Sequence, residues 1–382
     1  MARIVLTGLN GYGANFVREL LQDEDNTLVA VVSGAPQKSI YYEDLVKKEV
    51  HFYRSLKECL EIESADMAII CTPLHIHYEE VMTALKAGVH VFCEKPLTTT
   101  LDKVKAIKAL AEQKNLTVAV GFQWSYSKGI QALKQDLLQG VYGRIHKIKT
   151  MAVWKRPVSY YTSSPWKGRL YGTDGEIIFD SVISNPTAHF LHNMLFLAGA
   201  DMSEAWSMEE CAEYQMHCYK AHDIETFDTI SLNVTSGDKE FYFYGTLVGE
   251  ESQGAEFTVE CENGTIIYPY DAEGHIAGKK ADGSIILYEC PEKVRYDRYK
   301  QVLQAIAENK PAVCNVKTVE PFQQVIEYIR QNYKVRTFPK EDIYTHGDEL
   351  YVKGLLKQIQ QAYVSETLAL MKEEAGKKEP VG

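Results

Sequence analysis

The first third of the chain alternates short apolar runs with helical patterns, and this alternation restricts the possible folds more than any other feature. Compact runs rich in Val and Ile predict buried strands at residues 4–7, 28–32, 67–71, 89–93 and 118–120. Helical patterns between them predict helices at residues 14–21, 78–87 and 102–112. Strands and helices in alternation form βαβ units with right-handed crossovers, so the sequence predicts an α/β domain with a doubly wound parallel sheet.

A different pattern begins after Gly121 and Phe122. A helical pattern at residues 128–138 precedes longer strand-like runs, which lie at residues 145–153, 229–234, 241–247, 257–261 and 265–268. Residues 262–264 read Glu-Asn-Gly, and Asn-Gly at a strand junction predicts a hairpin. Helical patterns return at residues 299–308 and 319–332. We therefore expect an α+β domain built on a mostly antiparallel open sheet.

The length of 382 residues exceeds the usual size of a single hydrophobic core. We predict a doubly wound domain at residues 1–122 and an α+β domain at residues 123–372 that binds substrate and forms oligomer contacts. Residues 373–382 are charged and contain Gly and Pro, so we expect a frayed tail there.

Charge and cysteine content exclude several classes of partner. The formal net charge is -11, which repels nucleic acid and anionic membrane surfaces because both attract a clustered positive field. Eight cysteines are scattered without CxxC pairs, a pattern typical of reduced thiols in a reducing compartment. No apolar run is long enough to span a bilayer, and the first residues lack the layout of a signal peptide. We expect a cytoplasmic protein.

A glycine-rich turn lies between the first predicted strand and the first predicted helix. It reads Gly8-Leu9-Asn10-Gly11-Tyr12-Gly13, so Gly8 and Gly13 fill the first and third positions of a GxGxxG turn. The first glycine makes the tight turn, and the third lets helix and strand pack closely. Asn10 takes the second position, where Asn tolerates left-handed backbone angles and Gly11 adds freedom. This turn predicts dinucleotide binding, with the pyrophosphate at the helix N-terminus.

The end of the second strand bears on cofactor choice. An acidic residue that bonds the adenosine ribose is expected roughly 20 positions after the turn. The strand instead ends at Val32-Ser33-Gly34, with no carboxylate. Because the Ser33 hydroxyl does not repel a 2′-phosphate, the sequence favours NADP over NAD.

Two further motifs follow predicted strands. Residues 71–77 read Cys-Thr-Pro-Leu-His-Ile-His and residues 93–97 read Cys-Glu-Lys-Pro-Leu. With the glycine-rich turn, they resemble the glucose–fructose oxidoreductase, inositol dehydrogenase and rhizopine-catabolism (Gfo/Idh/MocA) family over nearly the whole chain. The resemblance implies that these motifs contribute cofactor-binding residues, with Lys95 placed between cofactor and substrate on an often cis Lys-Pro bond. The cofactor residues so implied are Thr72, Pro73, His77, Glu94, Lys95 and Pro96.

The resemblance also implies a catalytic segment in the second domain. Family members usually carry an Asp followed four residues later by a His, at the start of a helix facing the nicotinamide. In this chain Asn185 stands at the Asp position and His189 at the His position. Asn185 cannot accept a proton, and Asp180 lies near enough in sequence to supply the missing carboxylate. His192 is spaced for the same helix face as His189, and we predict a substrate contact for it rather than a metal pair, since no third ligand is evident.

A segment dense in aromatic and cationic residues follows residue 153. Aromatic faces with forked hydrogen-bond donors suit sugars and cyclitols, which present apolar C–H faces ringed by hydroxyls. An oligomer interface is the alternative explanation of this segment. The residues that we predict to bind substrate here are Trp154, Arg156, Tyr160, Tyr161, Trp166 and Arg169.

The resemblance implies an NAD(P)-dependent oxidoreductase that acts on a secondary alcohol of a sugar, sugar derivative or cyclitol. In this interpretation His189 is the general base, and Lys95 and Asn185 complete the catalytic group. We expect no metal, and a homodimer or homotetramer formed through the C-terminal sheet. Two alternatives stay open: an NAD-assisted glycoside-cleaving enzyme, and a non-catalytic dinucleotide- and sugar-binding sensor.

Overall fold

The computed structural model of the chain describes residues 1–291 and 296–370. The predicted tail at residues 373–382, together with residues 371–372 of the predicted second domain, lies outside the described residues. No helix in the described ranges is both long and apolar enough to cross a membrane.

The N-terminal part forms a six-stranded parallel sheet in the order β3-β2-β1-β4-β5-β6. The strand order steps outward from β1 in both directions, as in doubly wound folds, and places a crevice at the carboxyl ends of β1 and β4. Its strands are β1 (Arg3–Thr7), β2 (Thr27–Val32), β3 (His51–Tyr53), β4 (Met67–Ile70), β5 (His90–Cys93) and β6 (Val118–Val120). Its helices are α1 (Gly13–Leu21), α2 (Tyr42–Lys47), α3 (Leu56–Ile62), α4 (Leu74–Lys86) and α5 (Leu101–Lys114).

The next part contains a nine-stranded sheet and several helices. Its helices up to residue 198 are α6 (Lys128–Leu138), α7 (Val158–Thr162) and α8 (Ala188–Ala198). Its strands up to residue 288 are β7 (Ile145–Val153), β8 (Glu213–Lys220), β9 (Thr229–Ser236), β10 (Lys239–Thr246), β11 (Gly254–Cys261), β12 (Gly264–Tyr268), β13 (Ile276–Lys280) and β14 (Ile285–Tyr288). The remaining elements are α9 (Arg298–Ala307), α10 (Val316–Asn332), β15 (Val335–Thr337), β16 (Ile343–His346), β17 (Glu349–Val352) and α11 (Leu355–Ser365).

The nine strands lie in the order β14-β13-β12-β11-β7-β10-β9-β8-β15, and only the β7–β10 and β8–β15 pairs are parallel. Alternate side chains of β7 divide between two cores, as a strand's period of two requires. Ile148 and Ala152 join the large core that contains α8, whereas Met151 and Val153 pack with α11 in a smaller core on the opposite face. Both predicted fold classes are therefore confirmed: a doubly wound parallel sheet followed by a mostly antiparallel one.

Several predicted boundaries differ from the structure. The short strand β3 and helices α2 and α3 were not predicted, because short elements between residues 33 and 66 show little periodicity. Helix α4 begins at Leu74 instead of residue 78, which places His77 on its first turn. The predicted hairpin exists, with Cys261 paired to Gly264 across a turn made by residues 262 and 263.

Helices α9 and α10 return to the N-terminal sheet, which the sequence did not indicate. The Tyr299 hydroxyl donates to Asp23 at 2.7 Å, and Lys108 pairs with Glu320 at 2.6 Å between α5 and α10. Asn315 forms an isolated bridge to Ala119 of β6. The two sheets are thus tied together by the second half of the chain as well as at residues 121–127.

Candidate active site

The glycine-rich turn leaves no space for side chains beneath it. A Cβ at Gly13 would lie 1.7 Å from the Gly8 carbonyl oxygen, and one at Gly8 would lie 2.5 Å from the Cys71 carbonyl oxygen. Gly8 and Gly11 also adopt positive φ angles of 84° and 61°. No side chain caps α1, although the Ala14 and Asn15 amides donate to the Gly11 and Tyr12 carbonyls at 3.3 and 3.2 Å. No side-chain acceptor therefore competes with an anion at the start of this helix. The turn and the helix start therefore fit a pyrophosphate, while Asn10, Gly11 and Tyr12 lie exposed at its rim.

Ser33 follows β2 directly and is half-buried. Its backbone amide donates to the Tyr53 carbonyl at 3.0 Å, and its hydroxyl oxygen accepts from the Ala35 amide at 3.3 Å. The hydroxyl's own proton is not used in these contacts. Ser33 thus stands where the fold places the adenosine ribose, without a carboxylate beside it.

The loops after β4 and β5 are fastened to each other by His77. Its Nδ1 lies 2.9 Å from the Pro96 carbonyl oxygen, and its Nε2 lies 2.8 Å from the Thr72 carbonyl oxygen. The Thr72 hydroxyl donates to Glu80 at 2.6 Å. Burial lowers the pKa of His77. This histidine holds the two loops in register, with Pro73 between them at the cavity wall.

Lys95 follows β5 and is joined to Pro96 by a cis peptide bond. Its ammonium donates to the Asn185 backbone carbonyl at 2.8 Å and to Asn185 Oδ1 at 3.0 Å. Burial lowers the pKa of Lys95 to about 8, although the Glu94 and Asp180 carboxylates act in the opposite direction. The one lysine of the second motif therefore reaches across to the segment that precedes α8.

Asn185 links Lys95 to a buried carboxylate. The Asn185 amide Nδ2 donates to Asp180 Oδ1 at 2.8 Å, and the Gly168 backbone amide donates to Asp180 Oδ2 at 2.7 Å. Burial raises the pKa of Asp180, while the bonds from Gly168 and Asn185 and the charge of Lys95 favour the ionised form. Lys95, Asn185 and Asp180 thus form a continuous hydrogen-bonded chain.

His189 occupies the first turn of α8 and lines the same cavity as Lys95. Its Nδ1 is buried without a hydrogen-bond partner among the described residues, and its ring meets Phe122 edge-on at 5.8 Å between centroids. Burial, followed by the charges of Lys95 and Arg298, lowers the pKa of His189 well below its usual value. His189 is therefore neutral near pH 7.

His192 does not line the cavity, and its predicted substrate contact stays a prediction. Its ring stacks on Phe122 with 4.1 Å between centroids and a 3° angle between planes. Its Nδ1 lies 3.4 Å from the Ser125 hydroxyl, and its Nε2 lies 3.8 Å from the Cys314 sulfur. Nearly every residue of helix α8 is buried, so neighbouring residues on the helix pack against different surroundings. The spacing of three residues between His189 and His192 therefore does not place both rings at the cavity. Within the described ranges no group of three or more His, Cys, Asp or Glu is arranged to hold a metal ion.

The aromatic segment contributes four of its six predicted residues to the cavity. Trp154, Arg156, Tyr160 and Trp166 line it, whereas Tyr161 packs behind Tyr160 against the His222 ring. Arg169 is exposed and pairs with Glu225 at 2.7 Å. The structure thus places Tyr161 and Arg169 away from the cavity lining, and their predicted contacts with substrate stay predictions. Irregular loops have no periodicity that reveals from the sequence which side chains face inward.

Arg298 was missed by the sequence analysis. It is 1% exposed and donates to Glu94 at 2.9 Å, to the Tyr12 hydroxyl at 3.2 Å and to the Gly121 carbonyl at 3.1 Å. One guanidinium thus connects the glycine-rich turn, the Glu-Lys-Pro loop and the segment after β6. Glu94, predicted to contact cofactor, lines the cavity while bonded to Arg298. A lone arginine at a helix start gives no sequence signal of such a role.

Lys95, Asn185, His189 and the aromatic residues named above as lining the cavity surround a cavity volume of about 430 Å³. Its inner wall is made by the loops after β4 and β5, and its outer wall by the aromatic segment and the start of α8. A glycine-rich turn on a doubly wound sheet, beside a cavity at the strand ends, defines the class of dinucleotide-binding α/β proteins.

Comparison with known proteins relates the N-terminal domain to one family. Residues 2–122 match GFO_IDH_MocA, described as "Oxidoreductase family, NAD-binding Rossmann fold". The N-terminal part of the chain, residues 2–122, is thus similar to the Gfo/Idh/MocA family. It is 31% identical over 140 residues to the uncharacterized oxidoreductase YhhX of Escherichia coli, covering 36% of this chain and 40% of that protein. It is 25% identical over 147 residues to the myo-inositol 2-dehydrogenase of Thermotoga maritima, covering 38% of this chain and 44% of that enzyme.

The match thus spans less than half the length of these two relatives. A solved structure of the WlbA dehydrogenase from Bordetella pertussis, in complex with NADH and UDP-GlcNAcA, is similar over most of this chain. It has a TM-score of 0.69 at 18% identity and covers 86% of this chain and 95% of that one. At this identity the likeness establishes the fold alone.

Proposed function

We propose that this protein is an NAD(P)-dependent dehydrogenase that transfers hydride between nicotinamide and a CH–OH carbon of a sugar, sugar derivative or cyclitol. The observation that carries the proposal is the position of Lys95, whose ammonium stands in the cavity at the carboxyl edge of the sheet and bonds Asn185 of the opposite wall. The names of two relatives, myo-inositol 2-dehydrogenase and levoglucosan dehydrogenase, support the class of substrate.

The dinucleotide would be held by the glycine-rich turn and by the loops after β4 and β5. The nicotinamide ring supplies the hydride acceptor, and the protein's part is to orient the substrate carbon against it and to move the hydroxyl proton. Gly8 and Gly13 permit close approach to the pyrophosphate, while Thr72, Pro73 and His77 shape the wall beside the ring. Asn10, Gly11 and Tyr12 form the rim.

We assign the proton transfer to Lys95. Its pKa of about 8 lies close to the working pH, where a group exchanges protons effectively. His189 has a pKa well below its usual value and does not retain a proton near neutrality. A lowered pKa makes it a weaker base, so we assign it the role of accepting a hydrogen bond from the reacting hydroxyl and orienting it. The general-base role predicted from the sequence stays a prediction.

Asp180 would supply the negative charge that the family places at position 185. Asn185 transmits it by donating to Asp180 with its amide while accepting from Lys95 with its carbonyl oxygen. A carboxylate beside a lysine favours the ammonium form, so Asp180 keeps the pKa of Lys95 from falling further. Asp180 acts through Asn185 and is a positioning residue.

The choice between NADP and NAD, the oligomeric state and the location stay predictions. Ser33 favours NADP, since a serine does not repel the 2′-phosphate. Helix α11 covers the outer face of the large sheet beside Met151 and Val153, so a homo-oligomer formed through that sheet would involve α11 or the strands beyond it. All eight cysteines are described and free, which supports a reducing, cytoplasmic setting.

The test compares Lys95→Met with Lys105→Met, a matched loss of one ammonium at an exposed position of α5. With a polyol that wild type oxidises, Lys95→Met should lower kcat by a factor of about 100 or more, since general acid–base catalysis contributes that much. Lys105→Met should match wild type. Near-normal turnover by Lys95→Met would refute the assignment of the proton transfer to Lys95. Turnover that leaves bound cofactor oxidised would favour the glycoside-cleaving alternative, and sugar binding without any turnover would favour a sensor.

A further inference from the structure

Arg156 extends into the cavity from the segment after β7. Its guanidinium carbon lies 5.3 Å from the centroid of the Trp154 ring and 5.4 Å from that of the Tyr160 ring. Cation–π contacts with these two rings hold the guanidinium in place, and they leave the N–H groups at its edge free to donate. The arginine is thus oriented in advance of any ligand.

The guanidinium has no acceptor within residues 1–291 and 296–370. It forms no hydrogen bond and no ion pair there, and its Nε is buried without a partner. The neighbouring Lys155 differs, since its ammonium lies 3.7 Å from Glu349 and over the Tyr351 ring. A buried, unbonded donor on an arginine is costly unless a ligand completes it.

The charge around Arg156 is also unbalanced. Lys95 and Lys167 both lie within electrostatic range of Arg156, which lowers the pKa of each after the larger effect of burial. The Asp180 carboxylate, which acts electrostatically on both lysines, is already engaged at both oxygens by Asn185 and Gly168. Glu94 is paired with Arg298. The aromatic end of the cavity therefore holds more positive than negative charge. A neutral sugar bound there would not balance this excess of positive charge.

We propose that the substrate carries an anionic group, a carboxylate or a phosphate, which Arg156 binds at the aromatic end of the cavity. A planar guanidinium matches either group with two parallel N–H donors, a stronger interaction than hydrogen bonds to a neutral hydroxyl. The anion would lie across the cavity from the glycine-rich turn, apart from the cofactor pyrophosphate. This inference rests on the proposed function and specifies its substrate class.

The experiment measures cofactor reduction with matched neutral and anionic probes. D-Glucuronate and D-glucose 6-phosphate are compared with D-glucose, and myo-inositol 1-phosphate with myo-inositol, at saturating cofactor. We expect one anionic probe to have a kcat/KM at least about 10-fold above its neutral partner. Arg156→Gln should raise KM for that probe by about 10- to 100-fold while changing the neutral probe little, as the loss of a hydrogen bond to a charged group predicts. A preference for glucuronate assigns a carboxylate, and one for a sugar phosphate assigns a phosphate.

Lys155→Gln is the matched control, because it removes the adjacent cation that faces Glu349 instead of the cavity. It should retain wild-type kinetics. Oxidation of neutral probes alone, or equal losses on both probes in Arg156→Gln, would overturn the inference and leave the dehydrogenase proposal intact.

If no probe is oxidised, calorimetric binding to the cofactor-loaded protein separates the two proposals. Binding of an anionic probe that Arg156→Gln weakens and Lys155→Gln preserves would support the inference while the dehydrogenase proposal fails. No binding of any anionic probe at millimolar concentration would overturn the inference.

Discussion

Removing the charge of Asp180 should lower the pKa of Lys95, although the two side chains do not touch. The contacts from Lys95 to Asn185 and from Asn185 to Asp180 are 3.0 and 2.8 Å long. When the width of the Asn185 amide is added to these two contacts, the Lys95 ammonium and the Asp180 carboxylate oxygen are at most about 8 Å apart. Unit charges at about 8 Å and an effective dielectric constant of about 20 interact by about 2 kcal/mol.

An interaction of that size corresponds to a pKa change of about 1.5. Asp180→Asn should therefore move the pKa of Lys95 from about 8 towards about 6.5. The assay is the pH dependence of kcat for substrate oxidation between about pH 5.5 and 10. If the neutral amine accepts the proton, the rate rises with pH, and its midpoint falls by about one unit or more in the variant. The midpoint moves downward whichever form of Lys95 is active, so the shift reports the coupling itself.

The double variant Asp180→Asn, Asn185→Asp provides the rescue. It returns one carboxylate to the site, now 3.0 Å from the Lys95 ammonium instead of one amide away. The midpoint should then exceed that of wild type, because a closer anion raises the pKa further. Asp174→Asn, the same change at an exposed position of the same loop, is the control and should leave the profile unchanged. Coincident profiles for wild type and Asp180→Asn would refute the reasoning, even if kcat falls.

The remaining predictions concern the cofactor side. Gly13→Val should abolish dinucleotide binding in a fluorescence titration, since its Cβ alone would lie 1.7 Å from the Gly8 carbonyl oxygen, and unchanged affinity would remove the turn from the site. Ser33→Asp should shift preference towards NAD by repelling the 2′-phosphate, and a wild type that already prefers NAD about tenfold would contradict the assignment. Arg298→Met should weaken dinucleotide binding by about 10-fold or more, because it removes the hydrogen bonds that hold Glu94 and Tyr12. Arg298 itself would not touch the cofactor. Circular dichroism checks that each variant stays folded, and normal affinity in a folded Arg298→Met would exclude the positioning role.

The sequence predicted those parts of the site that lie in motifs attached to strand ends. Parallel strands end at one edge of a sheet, so the glycine-rich turn and Lys95 could be placed together before any coordinates were considered. The proximity of Lys95 to Asn185 came from the family resemblance, and the structure brings these two residues together.

Long-range packing could not be predicted. Arg298 lies 204 positions from Glu94, and no local pattern joins them. The hydrogen-bonded chain from Lys95 to Asp180 runs through the side-chain amide of Asn185. The orientation of that amide is set by the folded structure and cannot be read from the sequence. The position of His192 outside the cavity lining could not be predicted, because helix α8 is apolar on nearly every face and spacing did not indicate which side meets the cavity.

The central claim is that this protein oxidises a polyol with a nicotinamide cofactor through Lys95. The most direct measurement follows the near-ultraviolet absorbance of reduced nicotinamide when wild type and Lys95→Met are mixed with NAD or NADP and a panel of neutral and acidic sugars and cyclitols. We expect wild type to accumulate reduced cofactor with at least one member of the panel. Lys95→Met, still able to bind cofactor, should do so about 100-fold more slowly or not at all. Equal rates for the two proteins, or sugar binding by wild type without any reduced cofactor, would contradict the claim.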